Sequence, residues 1–207
     1  REGGGERSLA TIADEFLELD NIVLTDLALT PSTTIPRDCD AVFVIGPQRV
    51  FDEQIGTKLG AYVRGGGHLL VAVDPVFRDT STMLPTGLEP MLGGFGIDIG
   101  KDVVVERSTD HQIGAGPVEA FVALDFGEHP ITPALARTNA AVALLQARSV
   151  SARAGSSATV LLRGSAESFG ETDLTALQAD AALEPGAGDT TGPVGLAVAW
   201  SSTENDD

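Results

Sequence analysis

The chain has 207 residues, of which 43% are hydrophobic and 21% are charged, the composition of a folded globular protein. The formal net charge is −17 at pH 7, from 30 acidic and 13 basic residues. A surface with this excess of carboxylates repels phosphate groups, so the charge argues against nucleic acid and anionic lipid headgroups as partners.

The single cysteine, Cys39, cannot form an internal disulfide and lies between two aspartates. Neighbouring carboxylates oppose thiolate formation, so we interpret Cys39 as a small residue ahead of a strand and not as a nucleophile. No stretch approaches the roughly 20 apolar residues that span a bilayer. Because the chain begins at Arg1 without an initiator methionine, we expect it to be a fragment of a longer protein.

The first predicted element is a helix beginning after Ser8, whose apolar face comprises Leu9, Ile12, Ala13, Phe16 and Leu17. Residues 21–29 mix apolar and polar side chains, a pattern that favours a strand near the edge of a sheet. Residues 30–36 are rich in Pro, Ser and Thr and predict a loop.

The central unit of the sequence, residues 41–75, has the pattern strand, helix, strand. The run Ala-Val-Phe-Val-Ile at 41–45 is typical of a strand buried on both faces. Asp52 is placed to cap a helix whose apolar stripe comprises Phe51, Ile55, Leu59, Tyr62 and Val63. Glycines 65–67 end this helix, and residues 68–73 form a second apolar run. Two buried strands joined by such a crossover predict a right-handed parallel βαβ unit.

Beyond residue 75 the sequence predicts a surface loop at 76–82, then a helix over 83–92 that Pro85 and Pro90 shorten or break. Residues 102–106 predict a strand, so helix and strand alternate again. Four apolar runs, at 118–126, 141–145, 159–162 and 194–200, predict further strands, and Thr172 precedes a predicted helix over 174–183.

These elements predict an α/β fold with three layers and a mainly parallel central sheet. We expect residues 1–207 to form one domain, with 1–115 as the βαβ core and 116–207 as a β-rich extension of the same sheet.

Candidate binding residues lie where the two central strands end. Open α/β sheets bind ligands at the carboxyl ends of their strands, and Gly46, Pro47 and Gln48 follow the first strand while Asp74 follows the second. The turn after the first strand lacks the Ser or Cys of a nucleophile elbow. Glycines 65–67 lead from a helix into a strand, the reverse of a phosphate-binding loop.

The three histidines, His68, His111 and His129, lie far apart, and none has a partner at the spacing of a metal site. We therefore interpret them as exposed loop residues. The sequence contains no zinc motif, no Walker motif and no arrangement of Ser, His and Asp that indicates a triad. These absences predict no catalytic residues, no metal and no cofactor.

Several short motifs occur along the chain in a characteristic order. They are Gly-Glu-Arg-Ser-Leu at 5–9, Ile-Pro-Arg-Asp-Cys-Asp-Ala-Val-Phe-Val-Ile-Gly-Pro at 35–47, Tyr-Val-Arg-Gly-Gly-Gly-His-Leu-Leu-Val-Ala-Val-Asp-Pro at 62–75, His-Pro-Ile-Thr at 129–132, Ser-Phe-Gly-Glu-Thr-Asp-Leu at 168–174 and Gly-Pro-Val-Gly-Leu-Ala-Val-Ala at 192–199. Together they resemble the extracytoplasmic domain of auxiliary proteins encoded beside ABC-2-type transporters, the gliding-motility-associated family.

The resemblance implies an amidotransferase-like or flavodoxin-like α/β fold without the catalytic cysteine of the amidotransferases. It also implies a location in the cell envelope, on the periplasmic or extracytoplasmic side of the cytoplasmic membrane. Membrane anchors would then lie outside the fragment, and the partners would be the permease and the ATPase of the same system.

We therefore predict a non-enzymatic binding or interaction module of an ABC-type transport system. Its ligand- or partner-facing surface is predicted to be the strand-end rim, formed by Glu6, Gly46, Pro47, Gln48 and Asp74. The ligand at this rim could be a small molecule. One alternative is a small-molecule or sugar-binding hydrolase, which requires Asp74, Glu6 and a histidine in one pocket. Another is a purely structural envelope domain with an exposed apolar patch and no deep pocket.

Overall fold

The computed structural model describes residues 22–113, 116–178 and 183–202. Contacts divide the chain into two units, residues 1–35 and residues 36–207. The described part of the first unit, residues 22–35, contains no helix or strand, so the strand predicted at 21–29 is wrong over its described residues. No described strand pairs with it to satisfy its backbone groups. The helix predicted after Ser8 lies outside the described residues.

The described residues of the second unit form short strands and three short to medium helices. The strands are β1 (Ala41–Ile45), β2 (His68–Ala72), β3 (Phe77–Asp79), β4 (Thr82–Met83), β5 (Ile97–Ile99), β6 (Val103–Val105), β7 (Ala120–Ala123), β8 (Asp125–Phe126), β9 (Val142–Leu145), β10 (Val150–Ala152), β11 (Ala158–Arg163), β12 (Phe169–Glu171) and β13 (Gly195–Trp200). The helices are α1 (Glu53–Arg64), α2 (Glu89–Gly93) and α3 (Pro133–Arg137), and a 3₁₀ turn covers Ala176–Gln178.

The predicted βαβ unit is confirmed. Strands β1 and β2 pair in parallel along their whole length, and α1 connects them. The Asp52 side chain caps α1 by accepting a hydrogen bond from the Gln54 N–H at 2.8 Å. At the other end the Gly65 N–H donates to the Ala61 carbonyl at 3.0 Å. The capping and the helical spacing that the sequence shows are therefore present in this unit.

Strands β1 and β2 are not buried on both faces, contrary to the interpretation of their continuous apolar runs. Val42 is buried, but Phe43, Ile45 and Leu70 are between 44% and 49% exposed. Burial alternates along both strands, as in a sheet covered on one side. Helix α1 supplies the covered side, with Ile55 and Leu59 only 4% and 1% exposed.

The predicted three-layer fold with a mainly parallel sheet, whether amidotransferase-like or flavodoxin-like, is wrong. Among the described residues every strand pair other than β1–β2 is antiparallel. The strands form one three-stranded sheet, β13–β11–β8, and the pairs β1–β2, β3–β4, β5–β10, β6–β12 and β7–β9. A parallel connection needs a crossover of about a dozen residues, whereas α2 and α3 have only five residues each.

The second half is β-rich, as predicted, but it does not extend the sheet of β1 and β2. The four predicted runs contain β7, β8, β9, β11 and β13. Strands β10 and β12 pair with β5 and β6, so the segments on either side of residue 115 share sheets. The loop predicted at 76–82 is wrong, because β3 and β4 form a hairpin there.

The helix predicted over 174–183 is also wrong in its described part, which contains only the 3₁₀ turn. Thr172 does not cap a helix. Its N–H and its hydroxyl both donate to Asp189 Oδ1, at 2.9 and 2.8 Å, which ties this segment to the loop before β13.

The most deeply buried segment is β6 with its two flanking residues. Asp102, Val104, Val105 and Glu106 are all 0–1% exposed. Val104 belongs to a core cluster with Phe121, Ala147 and Val194. The chain therefore buries two carboxylic acids beside its apolar core, and they must be stabilised by hydrogen bonds.

The substitution Leu59→Ala tests the packing of α1 on the β1–β2 pair. Removing this fully buried side chain is expected to lower the free energy of unfolding by about 2–5 kcal/mol. Chemical denaturation followed by circular dichroism measures the change. The control Gln54→Ala, on an exposed position of the same helix, is expected to change it by less than about 0.5 kcal/mol. Equal losses in the two variants would contradict the packing.

Candidate functional site

The structure brings together four of the five residues of the strand-end rim. The Gly46 N–H donates to the Ala72 carbonyl at 2.9 Å, so the turn after β1 is joined to the end of β2. Gly46 has a φ of +55°, and a side chain there would lie 3.2 Å from Asp74 Oδ2. The Gln48 amide donates to the Gly46 carbonyl at 3.2 Å. Glu6 lies outside the described residues.

The rim encloses only a shallow groove. Its volume is about 10 Å³, room for a single water molecule. The lining residues include Pro47, Gln48 and Asp74 of the predicted rim. Arg49 and Thr86 also line the groove and were not among the predicted rim residues. No histidine lines this groove, so Asp74 has no imidazole partner there.

A buried ion pair supports the far wall of the groove. Glu89, at the start of α2, accepts hydrogen bonds from the N–H groups of Thr86 and Gly87, both at 2.8 Å. Arg148 lies behind it, with Nη2 3.8 Å from Glu89 Oε1, and its side chain is 1% exposed. Burial lowers the pKa of Arg148, while the charges of Glu89 and Asp102 oppose that shift. Burial also acts to raise the pKa of Glu89, but the hydrogen bonds from Thr86 and Gly87 outweigh it and lower that pKa.

Cys39 is a half-buried free thiol that fits its interpretation as a small residue ahead of a strand. Its Sγ donates to the Ala41 carbonyl at 3.3 Å, and its own carbonyl accepts a hydrogen bond from the Tyr62 hydroxyl at 3.0 Å. Burial raises the pKa of Tyr62, and the neighbouring Cys39 adds to the shift. These contacts anchor α1 to the start of β1.

None of the three histidines fits in full the interpretation as an exposed loop residue. His68 is exposed but is the first residue of β2, and His129 lies in a loop but is half-buried, with its Nδ1 accepting from the Ile131 N–H at 3.4 Å. His111 lies in a turn and is half-buried, and its Nδ1 is buried without a partner among the described residues. In the same part of the chain, no group of three or more His, Cys, Asp or Glu side chains could hold a metal ion.

Glu171, Asp173 and Asp189 form an acidic group near the end of β12. Burial raises the pKa of Glu171, and the charges of Asp189 and Asp173 raise it further. Each carboxylate accepts backbone hydrogen bonds, such as the one from the Asp173 N–H to Glu171 at 2.8 Å. Hydrogen bonding to the chain itself therefore accounts for this group.

The two carboxylates that flank β6 accept hydrogen bonds mainly from segments distant in sequence. Asp102 accepts from the Ser149 N–H at 2.9 Å, the Ser149 hydroxyl at 2.7 Å and the Thr190 hydroxyl at 2.7 Å. Glu106 accepts from the Ser165 N–H at 3.0 Å, the Ser165 hydroxyl at 2.6 Å and, two residues along the chain, the Ser108 N–H at 2.9 Å. These hydrogen bonds position the loops that supply the donors.

A larger cavity adjoins Glu106 through Ser165. We name it the Arg163 cleft; its volume is about 220 Å³, and it is lined by His111, Leu124, Asp125, Arg163, Gly164 and Ser165. Arg163 and Asp125 are opposite each other on β11 and β8. The cleft combines a cation, a carboxylate, an imidazole and an apolar side chain, and it shares no residue with the strand-end rim.

The sequence matches one protein family over almost its whole length. The model of the family described as an ABC-type uncharacterized transport system matches residues 6–204. The chain belongs to this family. The resemblance to auxiliary proteins of ABC transporters is thereby confirmed, and this member of the ABC-type transport family is an auxiliary, transport-associated component.

Membership of the ABC-type transport family associates the chain with transporter components and with the cell envelope. No curated protein and no solved structure shows significant similarity to the chain. Within the described residues, none of the helices is both long enough and apolar enough to traverse a bilayer.

The substitution Glu89→Gln tests the support of the groove in this family member. A glutamine cannot accept from both the Thr86 and the Gly87 N–H as the carboxylate does, so we expect a loss of about 1–3 kcal/mol in unfolding free energy at pH 7. The pKa of Glu89 is lower in the folded state than its ordinary value of 4.5, so the ionised carboxylate stabilises the fold. This stabilisation is complete above pH 4.5 and is lost as the pH falls through the lowered pKa.

Thermal unfolding of both proteins between pH 3 and pH 7 measures the difference, which is expected to shrink below about pH 4.5. Glu53→Gln, at an exposed glutamate in the first turn of α1, is the matched control and is expected to behave like the wild type. A difference between Glu89→Gln and wild type that does not change with pH would contradict this role of the carboxylate.

Proposed function

We propose that the chain is a non-enzymatic, extracytoplasmic interaction module that works with the permease and the ATPase of an ABC-type transport system. The observation that carries the proposal is the family match over residues 6–204, which makes the chain an auxiliary component of such a system. The extracytoplasmic side is the location implied by the resemblance to auxiliary proteins of ABC-2-type transporters, and it is part of the proposal.

The chemistry of the strand-end rim supports a role without catalysis. Pro47 has no nucleophilic group, and the Gln48 amide is hydrogen-bonded to the backbone of Gly46. Asp74 lacks an imidazole neighbour in the groove. The hydrolase alternative requires Asp74, Glu6 and a histidine in one pocket, and no histidine lines the groove beside Asp74, whereas His111 lines the separate Arg163 cleft.

The shape of the rim favours a protein partner over a small molecule. Small-molecule sites usually enclose about 300–1,000 Å³, whereas this groove holds about 10 Å³. Gln48, Arg49 and Asp74 are all exposed at this edge of the βαβ unit. Exposed polar and charged side chains beside so small a groove can form the polar part of a protein interface, where they contribute to specificity.

The double substitution Gln48→Ala with Asp74→Ala tests this surface. The experiment captures the membrane-anchored parent protein by affinity and measures the permease and the ATPase that come with it. The wild type is expected to recover both subunits, and the variant about tenfold less of each, which corresponds to a loss of about 1.4 kcal/mol in binding free energy. Quantitative mass spectrometry of the captured material measures the ratio.

The matched control is Asp38→Ala with Gln178→Ala, which removes the same two residue types from exposed positions outside the rim. The control is expected to recover the transporter subunits as the wild type does. Unchanged recovery with the rim variant would contradict the rim as the partner surface, and failure of the wild type to recover either subunit would contradict the proposed partners.

A further inference from the structure

The Arg163 cleft contains an arginine whose hydrogen-bonding capacity is largely unused. Arg163 Nη1 lies 3.6 Å from Asp125 Oδ2, and the two side chains are 35% and 59% exposed. A charge-assisted hydrogen bond between such groups is normally about 2.7–2.9 Å long, so this ion pair is loose and contributes little to stability.

Two exposed arginines are paired more tightly than Arg163, although the buried Arg148 lies 3.8 Å from Glu89. Arg153 donates to both oxygens of Asp98 at 2.6 and 2.7 Å and to the Gly93 carbonyl at 2.8 Å. Arg107 is held by Glu184 at 2.8 and 3.0 Å. Within the described residues Arg163 has only its long contact with Asp125, so its planar set of donors remains available to a ligand.

His111 forms part of the wall of the same cleft. Its backbone is fixed, because its N–H donates to the Ser108 carbonyl at 3.0 Å and its carbonyl accepts from the Val122 N–H at 2.7 Å. Its Nδ1 is buried and has no partner among the described residues. Because that atom has no surface that a solute could touch, His111 shapes the cleft and does not supply its hydrogen bonds.

Ser165 forms a rigid part of the wall and is not a nucleophile. Its hydroxyl donates to Glu106 Oε1 at 2.6 Å and accepts from the Glu167 N–H at 3.1 Å. Its N–H donates to the other oxygen of Glu106 at 3.0 Å. Because both groups of Ser165 are committed to the buried network, the binding chemistry of the cleft comes from Arg163 and Asp125.

We propose that the Arg163 cleft binds a small zwitterion of the α-amino acid class. The ligand carboxylate accepts hydrogen bonds from the Arg163 guanidinium, and the ligand ammonium group donates to Asp125. An α-amino acid separates these two charges by one carbon atom, which suits a cation and an anion held 3.6 Å apart on adjacent strands. Leu124 provides an apolar contact for the side chain.

Charge and size both favour this class over a simple carboxylate. An anion would be repelled by Asp125 and by the net charge of −17, whereas a zwitterion carries no net charge. A volume of about 220 Å³ lies below the roughly 300–1,000 Å³ of sites for drug-sized ligands and suits a smaller solute. The inference goes beyond the proposed function and does not depend on it, because the cleft and the rim share no residue.

Isothermal titration calorimetry with glycine, L-alanine, L-serine and L-valine, and with propionate and ethylamine as single-charge analogues of alanine, tests the proposal. At least one amino acid is expected to bind, and L-alanine is expected to bind at least tenfold more tightly than propionate or ethylamine. Equal affinity for L-alanine and propionate would overturn the proposal, as would the absence of binding by all four amino acids at millimolar concentration.

Variants of the two charged residues locate the site. Arg163→Gln is expected to weaken binding of L-alanine at least tenfold, whereas Arg78→Gln, at an exposed arginine of β3, is expected to leave it unchanged. Asp125→Asn is expected to weaken L-alanine and to strengthen propionate, a reversal that general damage to the fold would not produce. Asp125 is 59% exposed, so this variant remains informative if Arg163→Gln does not fold. Wild-type binding of L-alanine by both cleft variants would overturn the proposal.

Discussion

Two buried carboxylates at the ends of one short strand determine how the second unit is assembled. Asp102 and Glu106 flank β6 and are essentially inaccessible to water. Burying an ionised group is costly unless hydrogen bonds replace its hydration, and here each carboxylate accepts three. The donors come from Ser108, Ser149, Ser165 and Thr190. In the folded protein, burial of the two carboxylates therefore requires that these loops hold fixed positions around β6.

This arrangement separates the two regions that can take part in function. The strand-end rim belongs to the βαβ unit, where Glu89 and Arg148 hold the loop at Thr86 against the groove. The Arg163 cleft belongs to the Glu106 network, which holds Ser165 in its wall. A transport-associated protein built in this way has a closed, polar edge suited to contacts with a protein and, elsewhere, a small charged cavity suited to a solute.

The sequence predicted the elements that depend on neighbouring residues. It did not predict the sheet pairings and buried contacts that depend on residues far apart in the chain. Capping by Asp52 and the helical spacing of Ile55 and Leu59 specified the βαβ unit, so the meeting of Gly46 and Asp74 at its edge followed. The parallel three-layer sheet did not follow, because the proline-containing helices after β2 are too short to serve as crossovers. Asp102 and Glu106 are the polar ends of a predicted strand, and their burial depends on distant partners. Those of Asp102 lie 47 and 88 residues away, and Glu106 accepts from Ser165, 59 residues away, as well as from the nearby Ser108. Three separate segments likewise form the Arg163 cleft, so no local pattern could indicate it.

Hydrogen exchange of individual amides, followed by NMR, tests the central role of the buried carboxylates most directly. The N–H groups of Ser149 and Ser165 lie in loops, and exchange within seconds to minutes would be expected of loop amides without such partners. If Asp102 and Glu106 hold these loops, both amides exchange as slowly as the amide of Val104 in β6, because all three open only when the core unfolds. Exchange of the Ser149 and Ser165 amides at the rate of exposed loops, while Val104 stays protected, would contradict the account.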